Sequence, residues 1–343
     1  MSESQKKRIL WIDIAKGIAI LLMVIGHVDN IHPYLKGIIF SFHMPLFMII
    51  NGYLIRSYDI KKTFIRSLRT LMLPYFVVCL LQAAISTILA AGSGTELEVS
   101  QYRLISMLFG MSKSSTILTS VGGVSLIWFL TSLFLARNIY VILRSLLKKT
   151  PLWVQYGSVA VVSLLGYVIG KYVAFLPWSL DVAMVSVIFI AAGDILHKKG
   201  LIEKRNIPAI LICGGIWVAF LLTKQHIELA TRNYPFIIGG TVCAVAASIC
   251  VMKLCRQIEK VSFLTTILTW FGKNSLIILS VHCLEVRFIN WREMVFAPLG
   301  LSISPALEAV IRLVFISLVT LAFTLIYSAI KKAIAQKRQP EKQ

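Results

Sequence analysis

Residues Trp11–Val28, WIDIAKGIAILLMVIGHV, are apolar and long enough to cross a bilayer, yet they carry Asp13, Lys16 and His27. At about 100° per residue, Lys16 and His27 lie within about 20° of one another on a helix, and Asp13 lies about 60° from Lys16. A charge near the bilayer centre costs about 2.5–3.5 kcal/mol even on lenient insertion scales. Three ionisable groups on one stripe therefore predict a helix that faces a polar, protein-lined interior. A plainer reading also stands: Asp13 and Lys16, three residues apart near one end, neutralise each other and snorkel. His27, about 16 Å further along at 1.5 Å per residue, has no such partner on the helix.

The rest of the chain repeats the apolar theme. It has 343 residues, 57% of them hydrophobic, with a mean hydropathy of +0.81, well outside the soluble range. The expected fold is all-α and polytopic, as one domain over residues 1–343. Ten spans are expected at 9–30, 35–55, 71–91, 124–143, 152–170, 181–197, 207–223, 235–254, 274–290 and 307–330. The first span is too long for a signal peptide, and no small-residue cleavage site follows it. Within the longest break, 92–120, the stretch LISMLFGM reads as a short interfacial helix.

The net charge of +20 is not a nucleic-acid signal, because the basic residues sit between apolar runs and not in one stripe. With a cytoplasmic N-terminus, the inner connections hold residues 6–8, Arg56/Lys61/Lys62/Arg66/Arg69 and Arg144/Lys148/Lys149. They continue with Lys198/Lys199/Lys204/Arg205, Lys253/Arg256/Lys260 and the tail 331–343. The outer connections hold only scattered ones: Lys36, Arg103, Lys113, Lys171, Lys224, Arg232, Arg287 and Arg292. That alternation predicts both termini in the cytoplasm, with anionic lipid as a partner. The six cysteines show no paired loop spacing, so neither disulfides nor a zinc site is expected.

Several further stretches could carry chemistry. In FSFHMPLFMIINGY (40–53), His43 precedes Met44-Pro45, which should break the helix and free carbonyls, and Asn51-Gly52 should let another backbone approach. A kinked helix with His43 simply hydrogen-bonded is the alternative. In KKTFIRSLRTLMLPY (61–75), Arg66 and Arg69 share a helix face, and guanidinium groups suit phosphate; a basic juxtamembrane helix also binds lipid headgroups. Trp128 lies in IWFLTSLF, where packing is the common role. In FGKNSLIILSVH (271–282) a turn precedes Ser275 as N-cap, with His282 in the helix and Glu285 three residues on, able to orient it.

Taken together, Asp13 with Lys16-x10-His27, SFHMPLFMIINGY, Arg66-x-x-Arg69 leading to LPY, IWFLTSLF and GKNSL…H resemble the membrane-bound acyltransferase family 3. Within it, the likeness is to the fucose-4-O-acetylase-like bacterial subgroup, over nearly the whole chain. The resemblance implies a catalytic role for His27 and Lys16, with Asp13 beside them, and acyl-CoA donor binding by Arg66 and Arg69. His43, Asn51, Trp128, His282 and Glu285 become candidate substrate contacts; no metal is implied. Relatives commonly carry Ser at the position of Asn51, and fused members add an esterase-like domain not seen here. The implied protein is an O-acyltransferase of the bacterial inner membrane. It would pass acetyl from acetyl-CoA to a cell-surface glycan or its lipid-linked precursor. Rival readings are a proton-coupled transporter, which the lack of inverted repeats disfavours, and a lipid-binding envelope component.

Overall fold

A computed structural model describes residues 8–112, 121–204 and 206–337, and among them the fold is helical throughout, with one isolated bridge between Glu228 and Asn233. The expected inner residues Lys6, Lys7, Arg205, Arg338 and Lys342 and the outer Lys113 lie outside the described residues. The helices are α1 (Leu10–Gly26), α2 (Pro33–Phe40), α3 (His43–Tyr53), α4 (Ile60–Ser67), α5 (Leu73–Leu89), α6 (Glu96–Phe109) and α7 (Trp128–Leu146). They continue with α8 (Leu152–Tyr172), α9 (Leu180–Lys198), α10 (Ile207–Leu222), α11 (Ile238–Ile258), α12 (Ser262–Lys273), α13 (Ser275–Phe288) and α14 (Pro305–Lys337).

Each expected span coincides with a helix or a helix pair, and α6 occupies the anticipated interfacial stretch. Among the described residues, seven helical segments are long and apolar enough to cross a membrane, and eight if the bent α12–α13 pair is one span. This is a multi-pass membrane protein. The count of ten is reached only by adding α1 and α10, which have 17 and 16 residues.

Two local expectations need correction. The break near His43 falls at Ser41–Phe42, so Pro45 sits in the first turn of α3, where the missing N–H costs nothing. Ser275 is the first residue of α13 and Asn274 is its cap; α12 and α13 meet there at 64°. The five residues Leu68–Met72 form a π segment between α4 and α5, so Arg66 lies in the last turn of α4 and Arg69 inside the π segment.

Two glycine-mediated crossings set the interior. A Cβ on Gly272 of α12 would lie 1.8 Å from the Asp13 carbonyl oxygen, and one on Gly17 of α1 would lie 2.1 Å from that of Leu268. Likewise, a Cβ on Gly52 would meet the Ile190 oxygen at 2.0 Å and one on Gly193 the Ile49 oxygen at 1.9 Å, so α3 and α9 also touch backbone to backbone. Small residues permit such contact where hydrophobic transfer cannot drive association. The Asn51-Gly52 pair is the close-approach point its composition predicts.

Gly272→Ala should therefore cost about 1–3 kcal/mol through overpacking, read as a lower melting temperature of the purified protein in detergent. Gly157→Ala, where a Cβ meets nothing within 4 Å, should not lower it. Equal melting behaviour of the two variants would contradict the crossing.

Candidate active site

The break between α2 and α3, the end of α1 and the start of α13 leave a cavity of about 260 Å³ between the helices. Lys16, Met23 and His27 line it from α1, Phe40 from α2, His43 and Asn51 from α3, and Trp128 and Phe129 from α7. Ser275, Leu276 and Leu279 of α13 and Ile227–Ala230 of the α10–α11 connection complete the wall. Lys16 and His27 thus face the same space, as the helical spacing predicts. So do His43, Asn51 and Trp128.

His27 sits one residue past α1, as its C-cap. Its Nδ1 lies 2.7 Å from the Met23 carbonyl oxygen. A carbonyl only accepts, so Nδ1 carries the proton and Nε2 keeps its lone pair. His43, 2% exposed, is arranged alike, with Nδ1 2.9 Å from the Ile39 carbonyl oxygen. The helix ends therefore fix two imidazoles in the tautomer a base requires. Phe40 packs edge-on against His43, with ring centroids 4.9 Å apart.

His282 and Glu285 lie behind His27 and do not form part of the cavity wall. The His282 ring is 5.4 Å from that of His27, edge to face. Its Nδ1 donates to Glu285 Oε2 at 2.7 Å, the pairing anticipated from their spacing, and its buried Nε2 has no partner among the described residues. The other Glu285 oxygen accepts from Arg312 Nε at 2.8 Å and from the Trp291 indole. Arg312 also donates to the His27 backbone oxygen at 3.0 Å and pairs with Glu308, which Arg292 holds at 2.9 Å. Two guanidinium groups thus balance two carboxylates, and this network pins the end of α1 on which His27 sits. Sequence reasoning missed Arg312 and Glu308. The signal was there: an i,i+4 ionisable pair in the apolar run 307–330.

Asp13 is buried but is not part of the cavity wall. It pairs with Arg8 and, at 2.9 Å, with Lys16 Nζ. The pairing of the plainer reading exists, and Lys16 still reaches the cavity. Arg66 and Arg69 are exposed and not part of the wall. Asn51 instead accepts from Arg137 Nη1 of α7 at 3.1 Å, and the Arg137 Nε is buried without a partner. Arg137 was overlooked, although a lone arginine inside an apolar span marks such a place. Among the described residues no cluster of three or more His, Cys, Asp or Glu is placed to hold a metal.

Removing Arg312 leaves Glu285 buried and uncompensated. Arg312→Met should cost about 3–5 kcal/mol, as breaking a buried pair does, and should lower the melting temperature sharply. A variant that melts like the wild type would show that the network does not hold the end of α1.

Comparison with known proteins agrees with this architecture. Residues 9–329 match the Acyl_transf_3 family profile, described as an acyltransferase domain. Nodulation protein NolL of Sinorhizobium fredii (strain NBRC 101917 / NGR234) is 39% identical over 77 residues, 19% of this chain and 21% of that protein. NolL of Mesorhizobium japonicum (strain LMG 29417 / CECT 9101 / MAFF 303099) is 38% identical over 89 residues, 22% of this chain and 24% of that protein. The chain thus spans about a quarter or less of the length of these curated relatives. No solved structure matches. With the profile covering nearly all of the chain, the protein belongs to the acyltransferase 3 family.

Proposed function

We propose that this protein is a membrane O-acyltransferase that moves an acetyl group from acetyl-CoA to a hydroxyl of a surface glycan or its lipid-linked precursor. The observation that carries the reading is that Lys16 and His27, on one helical stripe, line the same cavity. Family membership supports acyl transfer as the chemistry.

In this reading His27 Nε2 takes the proton of the acceptor hydroxyl as the oxygen attacks the thioester carbonyl. The tetrahedral intermediate collapses, the C–S bond breaks, and the departing thiolate takes the proton back from His27, leaving free CoA and the ester. Lys16 lies about 16 Å along the axis from His27. The two cannot both touch one carbonyl, so Lys16 serves the donor, holding an anionic or carbonyl group of the CoA chain. Arg137 beside Asn51, with exposed Arg66 at the end of α4 and exposed Arg69 inside the π segment, would meet the donor phosphates. Ten spans with both termini in the cytoplasm complete the proposal. They set the arginines inside and His27 toward the outer face, in a bacterial inner membrane.

The test is acetyl-CoA turnover by purified variants. His27→Ala should lose about 10²–10⁴-fold in kcat, the usual worth of general-base catalysis. Lys16→Ala should raise the KM for acetyl-CoA, with Lys16→Arg intermediate because the charge is kept but its geometry is not. Near-wild-type turnover by His27→Ala would remove His27 from the mechanism. An unchanged donor KM in Lys16→Ala would leave Lys16 as a partner of Asp13 alone.

A further inference from the structure

The cavity end near His27 is covered by the connection between α10 and α11, whose build is more rigid than its position in a loop implies. Glu228 and Asn233 exchange two backbone hydrogen bonds, both 3.0 Å. The turn between them is clamped by Arg232, which forks onto Asp181 at the start of α9 with Nε–Oδ2 2.7 Å and Nη2–Oδ1 3.0 Å. Both side chains of this pair are almost fully buried. Arg232 Nη1 also donates to the Ala230 oxygen at 2.7 Å and to the Ser112 hydroxyl at 2.5 Å. A buried, bidentate, fully hydrogen-bonded pair of this kind fixes geometry.

What the clamp presents to the cavity is Glu228. It is the carboxylate among the residues of the wall, as Lys16 is the ammonium. Its side chain is 28% exposed, and its nearest ionic neighbour, His226 Nε2, is 3.9 Å away, beyond hydrogen-bonding reach. His226 and Thr231 lower its carboxyl from the ordinary value against the effect of burial, so it is an ionised, acceptor-only group. Phe40 lies in the same wall, with His27, His43 and His226 around its ring at 6.1, 4.9 and 5.7 Å between centroids. An ionised carboxylate offering several lone pairs, an aromatic ring and two Nε2 acceptors form a surface for a group rich in hydroxyl donors. The nearby cation, Lys36, lies over the Phe40 ring with Nζ 5.4 Å from its centroid, helps to hold Glu228 ionised and is not part of the wall.

We propose that Glu228 positions and selects the acceptor, accepting hydrogen bonds from the hydroxyls that flank the reacting one. The ring carbons of the acceptor would lie against Phe40 and the reacting hydroxyl at His27. The acceptor class is a neutral sugar ring; a carboxylate or phosphate beside the reacting hydroxyl meets the charge of Glu228 and is refused. This assignment rests on the acyl-transfer reading above. It adds to it a residue, a substrate class and an end of the cavity for that substrate.

The test uses the full-length protein in detergent with acetyl-CoA. Its acceptors are the methyl glycosides of glucose, galactose, mannose and fucose, together with the methyl uronides of glucose and galactose. Released CoA and acetylated glycoside are measured separately. The wild type should prefer neutral glycosides. Glu228→Gln should raise the acceptor KM about tenfold, as loss of a charge-assisted contact does, with kcat less affected. Glu228→Lys should invert the order in favour of the uronides, a gain that no misfolded variant can produce. An acceptor KM and order indifferent to residue 228 would overturn the assignment, as would a wild type that consumes acetyl-CoA but acetylates none of the glycosides. A wild type that releases no CoA from acetyl-CoA at all would instead contradict the acyl-transfer reading itself.

Discussion

Buried charge in an apolar bundle must be closed, and in this protein the closures decide what can sit where. Glu285 is held by Arg312, Trp291 and His282, and Arg312 reaches on to Glu308 and to the backbone of His27. Asp194 is closed by Lys198 at 2.9 Å and by the hydroxyls of Tyr58 and Tyr140, each at 2.6 Å; Asp181 is closed by Arg232. Asp13 is closed by Arg8 and Lys16. An unpaired member of any of these sets would cost several kcal/mol; the sets around Glu285, Asp194 and Asp181 join distant segments, and that around Asp13 closes within and just before α1. Three rivets of this sort, set among apolar helices, leave few ways for α9, α13, α14 and the end of α1 that Arg312 holds to rearrange.

The cavity is what remains when those rivets and the glycine crossings are satisfied together. α1 is drawn onto α12 by Gly17 and Gly272, and α3 onto α9 by Gly52 and Gly193, so the backbones touch on one side of each helix. Lys16, Met23 and His27 on one side and His43 and Asn51 on the other line the gap that remains. Helix ends at Gly26, Phe40 and Lys273 supply the site in a second way. At the first two, the Met23 and Ile39 carbonyls take the Nδ1 protons of His27 and His43 and leave both Nε2 atoms for other work.

Much of this was legible in the sequence, and the misses follow a pattern. Periodicity alone put Lys16 and His27 on one face, and hydropathy located every helix that carries the cavity, because both signals depend only on neighbours along the chain. The His282–Glu285 contact was legible for the same reason. Arg312, Glu308 and Arg137 were missed although their place in apolar runs was a signal; the partners that give them their roles, Glu285, Arg292 and Asn51, lie on other segments. Glu228 lies in a short connection with no periodicity at all, and only the pairing of Arg232 with Asp181, 51 residues away, brings it to the cavity. The π segment after Ser67 escaped as well, because it lies inside a continuous helical run, Ile60–Leu89, and no glycine marks it.

Lys16 and His27 give the cavity two chemically different ends, and the account as a whole stands on the donor arriving at one and the acceptor at the other. Proteoliposomes test this directly. The protein is reconstituted, its orientation established from the accessibility of the basic loop 56–69, and acetyl-CoA is confined to the side that loop faces. Methyl glycoside is supplied only on the opposite side. Acetylated glycoside should form on that opposite side while free CoA accumulates with the donor. Product that appears only when donor and glycoside share one side would contradict a cavity that joins the two faces of the membrane.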